Sequence, residues 1–477
     1  MKRIVNTLDK LNSGKRACAV FVLCATTAIA LPAQTFTTLY SFDGTDGEAY
    51  AGLVQATNGD FYGTNDGTIF KITAGGTLTT LSVALSYGGL VQATNGDFYG
   101  TTYQGGANGG GTVFKMTPSG TLTTLYNFCS KYDCGDGEYS RAELVQATNG
   151  DFYGTTQGGT TGVGGTVFKI TPGGTLTTLH NFCSQGGFPY CGDGALPFVG
   201  LVQAANGDFY GTTYWGGVGA GCSGSSCGTV FKITPSGTLT TLVSFDGADG
   251  GNPMAGLVQA TNGDLYGTTY STVFKITPGG TLTTLNNFCS QSGCTDGLAE
   301  MSGLVQATDG NLYGTTYAGG ASSASCLSYG ASEGCGTIFK ITPSGKLTTL
   351  YSFCPQSGCM DGITPAAGLI QATNGDLYGT TGGGGTNGDG TFFSLSVGLG
   401  PFVRTQTTSG EVGAAVKILG SDLTGATSVT FNGTAAAFTA VSRYLITTTV
   451  PIGATTGKVQ VVIPSRTLSS NVPFRVP

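Results

Sequence analysis

The sequence predicts an all-β protein: a seven-bladed β-propeller closed by its N-terminal strand, followed by an immunoglobulin-like β-sandwich. Three observations carry that expectation. A unit of about 50 residues recurs seven times, each unit reads as four short strands joined by turns, and the two ends of the repeat region complement each other.

The repeat is marked by Leu-Val-Gln-Ala, with its glutamine at Gln55, Gln92, Gln146, Gln203, Gln259, Gln306 and, as Leu-Ile-Gln-Ala, Gln371. In the second unit the strand-like pieces are 89–93, 97–102, 111–117 and 121–128, all rich in β-branched and aromatic residues. Asn-Gly pairs such as Asn95-Gly96 and Asn206-Gly207 join the first and second pieces, which predicts hairpins with type I′ turns. Pro-Ser-Gly or Pro-Gly-Gly, beginning at Pro118, Pro172, Pro235, Pro278 and Pro343, joins the third and fourth.

Counting strands predicts ring closure. The last unit ends on its third strand at 390–394, whereas 35–42 reads as a fourth strand with no unit before it. Pairing the two completes seven blades and removes an open edge. The expected organisation is a signal peptide over 1–33, the propeller over 34–396 and the sandwich over 397–477.

The repeated Gly-Leu-Val-Gln-Ala-Thr-Asn-Gly-Asp-Phe-Tyr-Gly-Thr-Thr and Gly-Thr-Val-Phe-Lys-Ile-Thr-Pro-Ser-Gly-Thr-Leu-Thr-Thr-Leu resemble the GloVer (Gloeobacter/Verrucomicrobia-type) tandem-repeat proteins. That resemblance implies export and a propeller-like array, and it supplies no catalytic residue. Residues 401–477 resemble an IPT/TIG domain in Val416–Gly420, Leu423–Gly433, Val450–Val459 and the closing Phe474–Val476; Ser465-Arg466 departs from the usual glycine turn. Such domains act mostly as spacers or adhesion modules. No hydrophobic sorting anchor is expected at the C-terminus.

Five basic residues before an apolar run from Ala17 to Ala30, with a small-residue exit, describe a secretory leader and predict a bacterial secreted, surface or periplasmic protein. The run is shorter than the about 20 residues a membrane span needs. Without 1–33 the chain keeps 15 basic and 25 acidic residues, a net charge of −10. Such a chain is poorly suited to nucleic acid or anionic lipid. Twelve further cysteines form six close pairs: Cys129/Cys134, Cys183/Cys191, Cys222/Cys227, Cys289/Cys294, Cys326/Cys335 and Cys354/Cys359. Export favours disulfides there, and the lack of C-x-x-C spacing disfavours zinc.

One histidine and one tryptophan leave little for imidazole chemistry. His180 holds a fourth-strand slot that carries Tyr126, Val243, Asn286 and Tyr351 in other units, which reads as structure and not catalysis. Asp43, Asp46, Asp246 and Asp249 stand where four units carry cysteine pairs; they offer oxygen ligands of the kind calcium takes, but their spacing lacks the alternating ligands and terminal Glu of a known loop, so no cofactor is expected, with calcium as the alternative. The seven glutamines either line a central channel or satisfy strand edges.

Binding residues are expected where the copies differ, on the face carrying the cysteine loops: Tyr103, Tyr214, Trp215, Tyr270, Tyr317 and Tyr329, unless these rings only cover loop cores. Glu143 joins them because it replaces the glycine found at Gly52, Gly89, Gly200, Gly256, Gly303 and Gly368. Arg141, Glu138, Glu300 and Glu333 fall in the same loop class. The pattern predicts a non-catalytic binder of an extracellular glycan or an envelope or surface protein; the alternative is a secreted carbohydrate-active enzyme using paired carboxylates.

Overall fold

The computed structural model describes residues 34–45, 52–86, 88–160, 164–184, 191–218, 226–320, 326 and 334–477. The expected signal peptide, Asp46, Cys222, Tyr329 and Glu333 lie outside them. Every strand pairing is antiparallel, and the described strands form nine four-stranded sheets, seven in the repeat region and two beyond it.

Each repeat builds its sheet in chain order, as in Val202–Gln203, Phe209–Thr213, Thr229–Ile233 and Leu239–Ser244. One sheet differs: Ile370–Gln371, Leu377–Thr380 and Thr391–Ser396 take Thr35–Ser41 as their fourth strand. Phe36 lies against Leu395 across that pairing, and the Phe42 amide donates to the Gly390 carbonyl. First and last repeat segments are thereby joined.

The core is a circuit of interfaces between neighbouring sheets. Tyr62 stacks on Phe98 at 4.1 Å, Tyr99 on Phe152 at 4.1 Å and Tyr153 on Phe209 at 4.0 Å, each pair bridging consecutive repeats. Phe61 of the first sheet meets Tyr378 of the last at 4.5 Å. The glycine between these aromatics and the following threonine is required by packing: a Cβ on Gly211 would stand 2.6 Å from Phe231 Cζ.

The glutamines are strand-edge clamps between repeats. Gln203 Oε1 accepts from the Thr148 amide of the preceding sheet at 3.1 Å, and its Nε2 donates to the Gly207 carbonyl of its own hairpin at 3.2 Å. The same acceptance recurs from Gln92 to Gln371, and Gln55 accepts from the Thr373 amide at 3.0 Å, linking the last sheet to the first. From Gln92 to Gln371 both polar ends of each amide are therefore engaged where they face a strand terminus.

The Asn-Gly hairpins correct one expectation. The Gly207 amide donates to Ala204 and the Ala204 amide to the Asp208 carbonyl, which makes a three-residue loop. Only glycine there has positive φ, +89° at Gly207, so the turn is type I with a left-handed glycine and not type I′. The asparagine instead caps the turn, its Oδ1 accepting from the Asp208 amide at 3.1 Å.

Beyond the repeats, Arg404–Thr405, Ala415–Leu419, Leu445–Thr449 and Phe438–Ser442 form one sheet, and Thr434–Ala435, Ser428–Phe431, Val459–Ile463 and Arg466–Ser469 the other. They share one apolar core that includes Val416, Ile418, Phe431, Ile446 and Val461. Among the described residues no helix is long and apolar enough to cross a membrane.

Candidate functional site

The first strands of the repeats enclose a cavity of about 640 Å³. Its wall carries the small residues that open each first strand, Gly52, Gly89, Gly200, Gly256, Gly303 and Gly368, together with the leucines that follow them. Glu143 stands in this ring in place of a seventh glycine, and Arg141 lines the cavity two residues earlier. These are the only charged side chains among the described lining residues.

One end is covered by the segment leading into the C-terminal sheets, Gln406 to Ser409. Side chains of this segment and of the strands flanking it donate to backbone carbonyls at the ends of the inner strands. Gln406 Nε2 donates to Gln92 O at 3.1 Å and Ala93 O at 2.7 Å, Lys417 Nζ to Thr94 O at 2.8 Å, and the Arg404 guanidinium to Gln55 O. Burial lowers the Arg404 pKa to about 10. The cysteine-bearing connections lie at the opposite end of the first strands, where Glu138 bridges Gly158, Ala195 bridges Trp215 and Leu298 bridges Ala318.

Glu143 is open to the cavity yet has protein on every side, and the resulting desolvation raises its pKa to about 7. Among the described residues it has no hydrogen-bond or ion-pair partner, Arg141 included. The Arg141 guanidinium sits 4.5 Å over the Tyr103 ring, which packs on Tyr139 at 5.1 Å. The Glu143 carboxylate reaches across to the neighbouring sheet, where a Cβ on Gly89 would stand 3.2 Å from its Oε2.

Of the expected binding residues, only Glu143 lines the cavity. Tyr103, Tyr214 and Tyr317 are half-buried at the ends of second strands. Tyr214 packs edge-on to Phe198 at 5.0 Å, and half-buried Trp215 packs against the buried Cys183, Cys191 and Ala195. Tyr214 and Trp215 thus pack on loop residues, and Tyr103 on Tyr139. Tyr270 is 47% exposed.

The loops are braced as the pairing of cysteines predicts. Disulfides join Cys129–Cys134, Cys183–Cys191, Cys289–Cys294, Cys326–Cys335 and Cys354–Cys359, and Cys227 is also disulfide-bonded. A second brace was not read from sequence: in four of the loops an aspartate just after the second cysteine, Asp136, Asp193, Asp296 or Asp361, clasps it. Asp136 accepts from the Ser130 and Lys131 amides and from the Tyr126 hydroxyl at 2.8 Å; these bonds outweigh burial and hold its carboxyl below the usual range. His180 meets Asp193 at 2.9 Å and Tyr351 meets Asp361 at 2.8 Å in the same way. Where the variable fourth-strand slot holds Tyr126, His180 or Tyr351 it is thus a partner for this aspartate, whereas Asn286 Nδ2 makes no such bond.

Asp246 Oδ1 accepts from the Ala248 and Asp249 amides at 2.9 and 3.2 Å, a self-capped turn. Glu300 is fully buried with no partner for either oxygen; the nearby Thr268 hydroxyl donates to Ser302 O at 3.3 Å. Burial raises the Glu138 pKa and its side chain packs beside Gly158, so the three described acidic side chains of this loop class, Glu138, Glu143 and Glu300, occupy different environments.

An all-β array of four-stranded repeats around a cavity with one acidic side chain defines a propeller-like repeat protein. The model of the Gloeobacter/Verrucomicrobia repeat matches residues 65–272, 191–327 and 272–440, and the chain belongs to that repeat family. Among solved structures it is similar to streptogramin B lyase, at TM-score 0.51 and 14% identity over 76% of this chain and 97% of that one. It is also similar to the extracellular domain of a hybrid two component system from B. thetaiotaomicron, at TM-score 0.50 and 12% identity over 82% of this chain. The chain spans about half of that second protein, 46% of its length. At these identities the likeness is one of fold. No curated protein matches the sequence.

Proposed function

We propose that the protein is an exported binding protein whose seven sheets are the blades of a propeller closed by strand 35–41. The C-terminal sheets form an immunoglobulin-like domain of the IPT/TIG kind that stoppers one end of the channel. Ligand enters from the disulfide-braced face, and the class that best fits is an extracellular glycan, with an envelope or surface protein as the other partner of interest. The observation that carries this reading is a cavity of about 640 Å³, within the range of ligand pockets, covered at one end and holding an unpartnered carboxylate. Five described disulfides suit an oxidising compartment outside the cytoplasm.

A second reading, a carbohydrate-active enzyme, draws on the Glu143 pKa of about 7, a value suited to general acid–base work. The dispersal of Glu138, Glu143 and Glu300 into different environments favours binding, since glycoside cleavage uses two facing carboxyl groups. Incubating the protein free of its leader with a panel of soluble and insoluble polysaccharides tests both. Saturable retention without release of reducing ends is the expected result; release of reducing ends that stops in Glu143→Gln would establish the enzyme.

A further inference from the structure

We infer that the cavity selects a glycan bearing a free primary ammonium group, an amino sugar, and that Glu143 is its counter-charge. This rests on the glycan reading above and deepens it. A carboxylate exposed to a cavity, as Glu143 is, offers an ion pair that either the protein or a ligand can complete. The protein does not complete it: Arg141 is held over Tyr103, and no ion pair joins it to Glu143. Six glycines around the same ring leave the carboxylate approachable, and among the described residues nothing stands within 4 Å of a Cβ placed on Gly52.

A ligand ammonium would supply the missing charge and form a charge-assisted hydrogen bond in a site of low local dielectric. The rest of the lining favours a sugar over a lysine side chain. At the covered end stand Thr407, Thr408 and Ser409, whose hydroxyls have no hydrogen-bond partner among the described residues. They line the same cavity as Glu143, on the segment that covers one of its ends. A short oligosaccharide presents hydroxyls along such a cavity, whereas the methylenes of lysine would leave the threonines and serine unmatched.

The test titrates a glucosamine trimer, its N-acetylated counterpart and a lysine-containing tripeptide into the protein at pH 7 by calorimetry. It uses the native protein, Glu143→Gln and Glu143→Gly. The glycine variant restores the residue of the other six repeats and guards against misfolding. The free-amine trimer is expected to bind, with affinity falling roughly 10- to 100-fold in both variants and in the N-acetylated sugar. Equal binding of the acetylated trimer, or free-amine binding indifferent to both variants, would overturn the amino-sugar assignment and leave the glycan reading standing. Binding of the tripeptide alone would reassign the carboxylate to a protein partner. No binding of any saccharide would overturn both.

Discussion

Removing residues 34–42 is expected to abolish the monomeric, cooperatively folded protein. Thr35–Ser41 is the outer strand of a sheet whose other three strands come from the far end of the repeat region, so its loss exposes the edge of Thr391–Ser396. An unpaired edge of that length invites pairing with another chain. The loss is also apolar: Phe42 is fully buried, and Phe36 stacks on Tyr351 at 4.1 Å and on Phe393 at 5.2 Å. Truncating a buried phenylalanine costs about 3–5 kcal/mol, and the whole strand more. Size-exclusion chromatography of the deletion should show oligomers or aggregate, and Phe42→Ala alone should lower the urea midpoint clearly. A monomeric deletion variant with an unchanged midpoint would show that the strand does not close the ring.

The second large effect concerns Glu300. It occupies the repeat position filled by Ser140 and Pro197 elsewhere, and Ser140 donates to the Thr155 carbonyl at 2.9 Å. Glu300 brings a carboxyl to the same buried place, where desolvation raises its pKa well above the ordinary value despite the nearby Thr268 hydroxyl. The folded state therefore holds a proton that the unfolded state releases above a pKa of roughly 4.3. Its contribution to stability is present in acid and is lost progressively as pH rises above that value. Glu300→Ser should stabilise the protein at pH 8 by roughly 1–3 kcal/mol and much less at pH 5. Urea unfolding at both pH values decides it; a gain no larger at pH 8 than at pH 5 would contradict a buried, proton-holding carboxyl.

Much of this architecture was legible in the sequence, because closely repeated segments must make the same contacts seven times. The strand count placed 35–42 beside the last repeat, and Cys129/Cys134 and its counterparts paired as their spacing suggested. Departures from the repeat were the best pointer to the site: Glu143 was visible as the one acid in a row of glycines. What stayed hidden depends on contacts distant in sequence. The covering of the cavity by Gln406 rests on carbonyls more than 300 residues away, and no local pattern announces it. The glutamines left two readings open because a side chain on an inner strand can face the channel or the next strand end with equal periodicity. The aromatic residues Tyr214 and Trp215 looked like binding groups by type, yet their surroundings are loop cores.

The central claim is that ligand occupies the channel and not the outer loop surface. A Gly52→Trp variant tests it most directly, since that glycine lines the cavity and, among the described residues, a Cβ there meets nothing within 4 Å, so a large side chain can be added where it narrows the cavity. Glycan binding measured side by side for the native protein and this variant, with melting temperatures matched, should be lost in the variant. Binding of unchanged affinity would place recognition on the loops and contradict the account.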